Sequence, residues 1–220
     1  MGKNFRNSGE GFFGSMSLNT WLVAVNVFCF IVFSVLISLN ILSLDMVAIN
    51  PANILSGKYL WTFLTSMFMH AGFFHLFANM ITLLFIGSLV ERIIGRKRYF
   101  WFYMLSGIFA GLVFVLTALL FGLDYNTFAV GASGALFGLI GLLMFLTPNL
   151  SVYVFFIPIP IKLKYAAPGM LLLLWLISVA GNVPIGNVAH LGGLISGLAY
   201  GFYLKKKYKR KTAYISRYFN

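Results

Sequence analysis

Ser133 lies in Gly131-Ala132-Ser133-Gly134-Ala135-Leu136-Phe137-Gly138, a small-residue stretch that presents one hydroxyl to an otherwise apolar helix. A serine hydroxyl is a weak nucleophile until a neighbouring base takes its proton, and histidine is the commonest such base. The chain has three histidines, His70, His75 and His190. Ser133 with His190 fits nucleophilic catalysis by a dyad, because the acids that could complete a triad from the same side, Asp45 and Asp124, fall in loops. Phe137, one turn after Ser133, is available to pack against the imidazole. Acyl transfer also needs donors for the tetrahedral oxyanion. Ser133 begins a helix, so its backbone N–H and that of Gly134 point out unpaired at the positive end of the helix dipole. His75 and Asn79 are four apart, share a helix face and could add side-chain donors.

Each residue also has a structural reading. Serine among small residues packs or hydrogen-bonds between helices, a lone histidine can be an interface residue, and His75 with Asn79 can form a polar clamp. The close spacing of His70 and His75 raises a metal site, but no cysteine or acid lies at that level to complete one. Depth in the membrane separates these readings, and depth depends on the elements that carry the residues.

Of 220 residues, 60% are hydrophobic and 9% charged, and the mean hydropathy is +0.93. A soluble domain carries about a quarter charged residues, so the expectation is an all-α, polytopic membrane protein. Hydrocarbon offers the backbone no hydrogen bonds, which leaves helices as the spanning element. Six spans can be drawn, at about 20–42, 75–94, 99–122, 132–147, 167–183 and 188–204. Residues 1–18 are read as a cytoplasmic segment without the hydrophobic core of a cleavable signal, 19–204 as the membrane domain and 205–220 as a basic cytoplasmic tail. Residues 43–74 form a long first loop whose Tyr59, Trp61 and Phe63 favour the headgroup boundary.

The net charge of +12 does not read as a nucleic-acid footprint, because the basic residues sit in short clusters between and after the spans. Fifteen of the 16 Lys and Arg fall in the N-terminus, the second and fourth connections and the tail, and only Lys58 falls on the other side. With six spans all four of those segments share one face, so both termini are expected in the cytoplasm of a cell-membrane protein. Cys29, the single cysteine, lies in the first span and cannot form an intrachain disulfide.

At about 1.5 Å per residue, Ser133 stands roughly 22 Å above Pro148, His190 the same above Lys205, and His75 about 25 Å above Arg92. These polar groups therefore converge on one layer, submerged below the outer surface. Glu91, about 24 Å from His75 along its helix, is too far away for the chemistry and is expected to pair with basic residues or cap a connection. Gly107 with Gly111, Gly134 with Gly138 and Gly193 with Gly197 read as small-xxx-small helix contacts, with Gly134 and Gly138 admitting span six. Gly131 and Ala132 are expected to leave the approach to the hydroxyl uncrowded. Residues 148–168, with Pro148, Pro158, Pro160 and Pro168, are expected to be an interfacial cytoplasmic loop.

The sequence resembles the rhomboid family of intramembrane serine proteases in its minimal six-helix form, over roughly residues 55–204. Gly131-Ala132-Ser133-Gly134 resembles the family's Gly-x-Ser-Gly motif, and Ala189-His190-Leu191-Gly192-Gly193 followed by Gly197 its histidine motif. His70, His75 and Asn79 fit the H-x4-H-x3-N pattern, and Gly87, Glu91 and Gly95 the structural G-x3-E-x3-G element. Many rhomboids carry Trp-Arg in the first loop where this chain has Trp61-Thr62, so the anchoring of that loop is expected to differ. The resemblance implies Ser133 as nucleophile, His190 as general base and acid, and His75 and Asn79 as oxyanion-side donors. It further implies hydrolysis of peptide bonds in or near transmembrane helices of single-span or other membrane-protein substrates, without metal or cofactor. Hydrolysis at that depth requires a water-filled cavity open to the extracytoplasmic side. A transporter or channel whose polar pathway uses Ser133, His75 and His190, and a non-catalytic chaperone for transmembrane helices, are the competing classes.

Overall fold

The computed structural model describes residues 16–154, 158–181, 183 and 185–219, so the readings placed on Lys3, Arg6 and Glu10 lie outside the described residues. In chain order the helices are α1 (Leu18–Ser38), the short loop helices α2 (Pro51–Leu55) and α3 (Thr62–Thr65), α4 (Phe73–Ile94), α5 (Arg96–Phe121), α6 (Ser133–Leu146), α7 (Leu163–Gly181), α8 (Asn187–Lys207) and α9 (Lys209–Tyr218). Among the described residues, four of these, α1, α4, α5 and α7, are long and apolar enough to cross a membrane.

α6 is the axis of the bundle. At 14 residues it is about 21 Å long, shorter than the hydrocarbon is thick, and it is apolar on all sides. Such a helix is stable only when enclosed, and ten of its residues are buried, with Leu139, Leu142 and Leu143 fully so. α5 and α8 pack along it and α4 closes a further side. α1 and α7 are peripheral: α1 buries only Asn19, Leu22 and Asn26, and α7 only Leu163, Ala166, Ala167 and Leu171.

α1 is joined to α4 by polar groups rather than by shape alone. Both carboxylate oxygens of Glu91 accept from the first backbone amides of α1, Leu18 N–H at 3.0 Å and Asn19 N–H at 2.9 Å. This negative charge satisfies orphan donors at a positive helix end. Residues Leu83–Gly87 of α4 form a π turn, and the buried Asn19 amide donates to the Leu83 carbonyl (2.9 Å) and the Ser88 hydroxyl (3.0 Å) while its oxygen accepts from Tyr99 O–H (2.5 Å). A side chain on Gly87 would fall on Asn19 and Tyr99, so the glycine makes room for this knot. Gly95, at φ +83°, then makes the turn into α5 in a region that disfavours side chains.

Two expectations are corrected here. The segment after α6 is not loop up to Pro168. A two-residue strand β1 (Ser151–Val152) pairs antiparallel with β2 (Ile161–Lys162), and α7 starts at Leu163 with Pro168 inside it. Pro168 lies so close to the helix start that the single backbone bond it removes is with the Lys164 carbonyl, one turn back among the first residues of α7. Gly107 and Gly111 do not serve a contact between two long helices. Gly107 admits the Met67 side chain, and a Cβ on Gly111 would meet Ile49 Cδ1 at 2.7 Å and Phe63 Cδ1 at 3.1 Å, so α5 uses its small residues to seat the first loop. In that loop the buried Thr62 hydroxyl donates to Tyr59 O (2.7 Å) and the Trp61 indole to Met46 O (2.9 Å), which closes the loop on itself without an arginine.

Candidate functional site

Ser133 is the first residue of α6 and His190 lies in the first turn of α8. His190 Nε2 and Ser133 Oγ are 2.8 Å apart, although 57 residues separate them in sequence. The Phe137 ring stacks on the imidazole with centroids 4.7 Å apart and planes 22° apart, in keeping with its position one turn below Ser133. His190 is buried, and its Nδ1 meets no hydrogen-bond partner among the described residues, so no side chain among them acts as a third member.

The helices hold this pair together through glycine. A side chain on Gly193 would fall on the Gly134 carbonyl, and one on Gly197 on the Gly138 carbonyl, so α8 lies against the bare backbone of α6. Gly141 returns the contact, with a Cβ there 2.5 Å from Leu194 O. The Gly134 and Gly138 side-chain positions turn mainly toward α5 instead, where Ala110 Cβ would stand 2.7 Å from a Cβ on Gly134 and Ser106 fills the space beside Gly138. The reading that these two glycines admit span six therefore needs correcting: both sides of α6 are stripped, with Gly193 and Gly197 of α8 making the close approach on one side and Gly134 and Gly138 making it toward α5 on the other. Ser106 and Ser196 tie α5 to α8 with hydroxyls 2.6 Å apart.

His75 and Asn79 reach the same place from α4. A Cβ on Gly131 would stand 2.7 Å from His75 Cε1, 2.9 Å from His75 Nε2 and 3.4 Å from Asn79 Nδ2, so both side chains lie against the backbone two residues ahead of Ser133. Gly131 has φ +117°, which a side chain disfavours as well. The space beside Gly131 is thus taken by His75, and Ala132 is fully buried. His75 Nδ1 accepts from Ala71 N–H (3.3 Å), which leaves Nε2 as the protonated nitrogen facing the site. Asn79 is buried and its Nδ2 has no partner among the described residues. His70 is not part of this constellation: it lies behind His75, 1% exposed, its ring edge-on to His75 at 5.2 Å and to Phe30 at 6.2 Å. Among the described residues no three His, Cys, Asp or Glu gather closely enough to hold a metal.

Sequence reasoning missed what fixes the segment leading into Ser133. Ile49 and Ala129 exchange backbone bonds of 3.0 and 2.8 Å, Ala52 N–H donates to Tyr125 O (3.1 Å), and Gly131 N–H donates to Ser66 O (2.8 Å). The first loop thereby grips the chain immediately before the nucleophile position. Backbone pairs of this kind leave no residue-type signal. Asn19 and Asn26 did carry one: polar side chains inside an apolar span are costly and mark an internal partner.

The fold and the site define a multi-pass helical membrane protein with a serine–histidine pair enclosed at the head of its central helix. The family model of the Rhomboid domain matches residues 57–207, and the chain belongs to the rhomboid family. It is 36% identical to RHOMBOID-like protein 1 of Arabidopsis thaliana over 162 residues, covering 71% of this chain and 38% of that protein. It is 32% identical to Rhomboid protein 1, mitochondrial, of Saccharomyces cerevisiae over 154 residues, covering 66% and 42%. With the Bacillus subtilis protein named Putative rhomboid protease YdcA it shares 29% identity over 193 residues, 87% of this chain and 90% of that one. The chain spans less than half the length of the plant and yeast relatives.

Proposed function

We propose that the chain is an intramembrane serine endopeptidase that hydrolyses peptide bonds in or near the transmembrane helices of membrane-protein substrates. The observation that carries this reading is the 2.8 Å contact of Ser133 Oγ with His190 Nε2, in a chain of the rhomboid family with one relative named Putative rhomboid protease YdcA. Ser133 O–H donates to His190 Nε2, which takes the proton as the oxygen attacks the scissile carbonyl. The negative charge that develops on the carbonyl oxygen is met by the first free N–H groups of α6, by Asn79 Nδ2 and by His75 Nε2–H. The protonated His190 then gives its proton to the leaving amine. Water, deprotonated by the same nitrogen, attacks the acyl-enzyme and releases Ser133. Phe137 holds the ring plane throughout, and His70 supports His75 from behind.

The charge distribution supports a six-span arrangement with both termini in the cytoplasm and the site opening to the extracytoplasmic side. The light burial of α7 beyond Leu171 supports lateral access for a substrate helix on that side.

The test uses purified protein in detergent and a single-span reporter. Ser133→Ala and His190→Ala should each abolish cleavage with unchanged thermal unfolding, and a fluorophosphonate probe should label wild type but not Ser133→Ala. Cleavage by Ser133→Ala at the wild-type rate would remove the dyad assignment. Cysteines placed at Lys205 to Lys211 should resist labelling from outside intact cells, and ready labelling would reverse the orientation.

A further inference from the structure

At the end of the bundle remote from Ser133, the last turn of α6, the last turns of α8 and one face of α9 enclose a cavity of about 630 Å³. Four cationic side chains line it, Lys205, Lys206, Lys209 and Arg217. No carboxylate side chain among the described residues joins them. The described acids are Asp45, Asp124 and Glu91; the first two lie in the loops at the Ser133 end, and both oxygens of Glu91 are taken up by the start of α1. The wall between the cations is apolar, formed by Phe145 and by Phe202, which is 61% exposed. Lys205 Nζ lies 5.5 Å from the centre of the Phe145 ring, so one charge is already held over this wall.

The cavity therefore combines uncompensated positive charge with an apolar surface, at the helix ends that the proposed topology sets beside the cytoplasmic headgroups. A free anion would use only the charges, and an apolar ligand only the aromatic wall. An anionic amphiphile satisfies both, and basic pockets between helix ends on such a face take anionic headgroups. α9 is what makes this a pocket rather than a charged rim, because Lys209 and Arg217 stand at its two ends and close the side opposite Lys205 and Lys206. We propose that this cavity is a binding site for an anionic phospholipid, its phosphodiester held by Lys206, Lys209 and Arg217 and its acyl chains running along Phe145 and Phe202.

The experiment is native mass spectrometry of the full-length protein released from micelles containing phosphatidylglycerol, phosphatidylcholine or inorganic phosphate. Phosphatidylglycerol should remain bound in discrete stoichiometry, and phosphatidylcholine and phosphate should not. With each charge worth about a five-fold gain in affinity, Lys206→Gln/Lys209→Gln/Arg217→Gln should weaken phosphatidylglycerol roughly 100-fold. Lys162→Gln/Lys164→Gln, a neutralised pair elsewhere on the chain, should leave it unchanged. None of the five residues is buried, so both variants should fold. Equal retention of phosphatidylcholine, retention of inorganic phosphate in its place, or equal losses in the two variants would each overturn the proposal.

Discussion

Gly197→Ala is expected to disable the proposed dyad from a distance. Gly197 is seven residues beyond His190, roughly 10 Å along α8. An added Cβ would meet only backbone: the Gly138 carbonyl, Leu142 N at 2.6 Å and Gly141 C at 2.9 Å. No rotamer change relieves a clash with backbone, so α6 and α8 must part. Bringing Leu142 N from 2.6 Å to 3.4 Å, the near edge of ordinary contact, requires about 0.8 Å, and the Gly138 carbonyl oxygen, closer still, makes this a lower bound. Transmitted along two stiff helices, that displacement takes the Ser133–His190 pair from 2.8 Å to about 3.6 Å, outside hydrogen-bond range. Misplacement near 1 Å costs a reaction roughly 100-fold, and overpacking costs the fold about 1–3 kcal/mol. The assay is reporter cleavage per folded molecule, with thermal unfolding in the same detergent. Gly169→Ala on α7 is the control, since nothing lies within 4 Å of the added carbon. A Gly197→Ala protein with wild-type rate and melting would refute the claim that bare backbone contact sets the site.

Asn79→Ala should lower kcat by about 100- to 1,000-fold with little change in KM, the signature of a lost oxyanion donor, while fluorophosphonate labelling of Ser133 slows in parallel. A change confined to KM would move Asn79 to substrate binding. Glu91→Gln should destabilise by about 1–2 kcal/mol, read as a lower unfolding midpoint, because the α1 amides lose a charged acceptor; its rate per folded molecule should hold, and a selective loss of rate would contradict a capping role. Asn19→Ala removes the buried acceptor of Tyr99 O–H and the amide that donates to Leu83 O and Ser88 Oγ, and should cost about 1–3 kcal/mol by the same measurement.

Much of this site is legible in the amino-acid sequence. Ser133, His190, His75 and Asn79 stand out because polar groups are costly at membrane depth, and helical rise alone puts three of them in one layer. The role of Phe137 follows from its place one turn after the serine. The partner of Glu91 is open in the sequence, since a carboxylate near a connection has many possible donors, and only packing brings the start of α1 to it. Gly107 and Gly111 look like a helix-contact pair because the sequence shows small residues without showing what fills the space beside them.

Period, hydropathy and rise are properties of local chain, and they marked the six long helices and their approximate ends and set Ser133, His190 and His75 at a similar level along them, while the short helices α2, α3 and α9 escaped them. Azimuth and neighbour are not local. Which face of α6 meets α5 and which meets α8, the filling of the space beside Gly131 by His75, the grip of Ser66 on the approach to Ser133, and the closing of a cationic cavity by α9 all depend on contacts between segments far apart in sequence. One turn of helix offers several faces of similar apolarity, and only the simultaneous packing of all the helices selects among them.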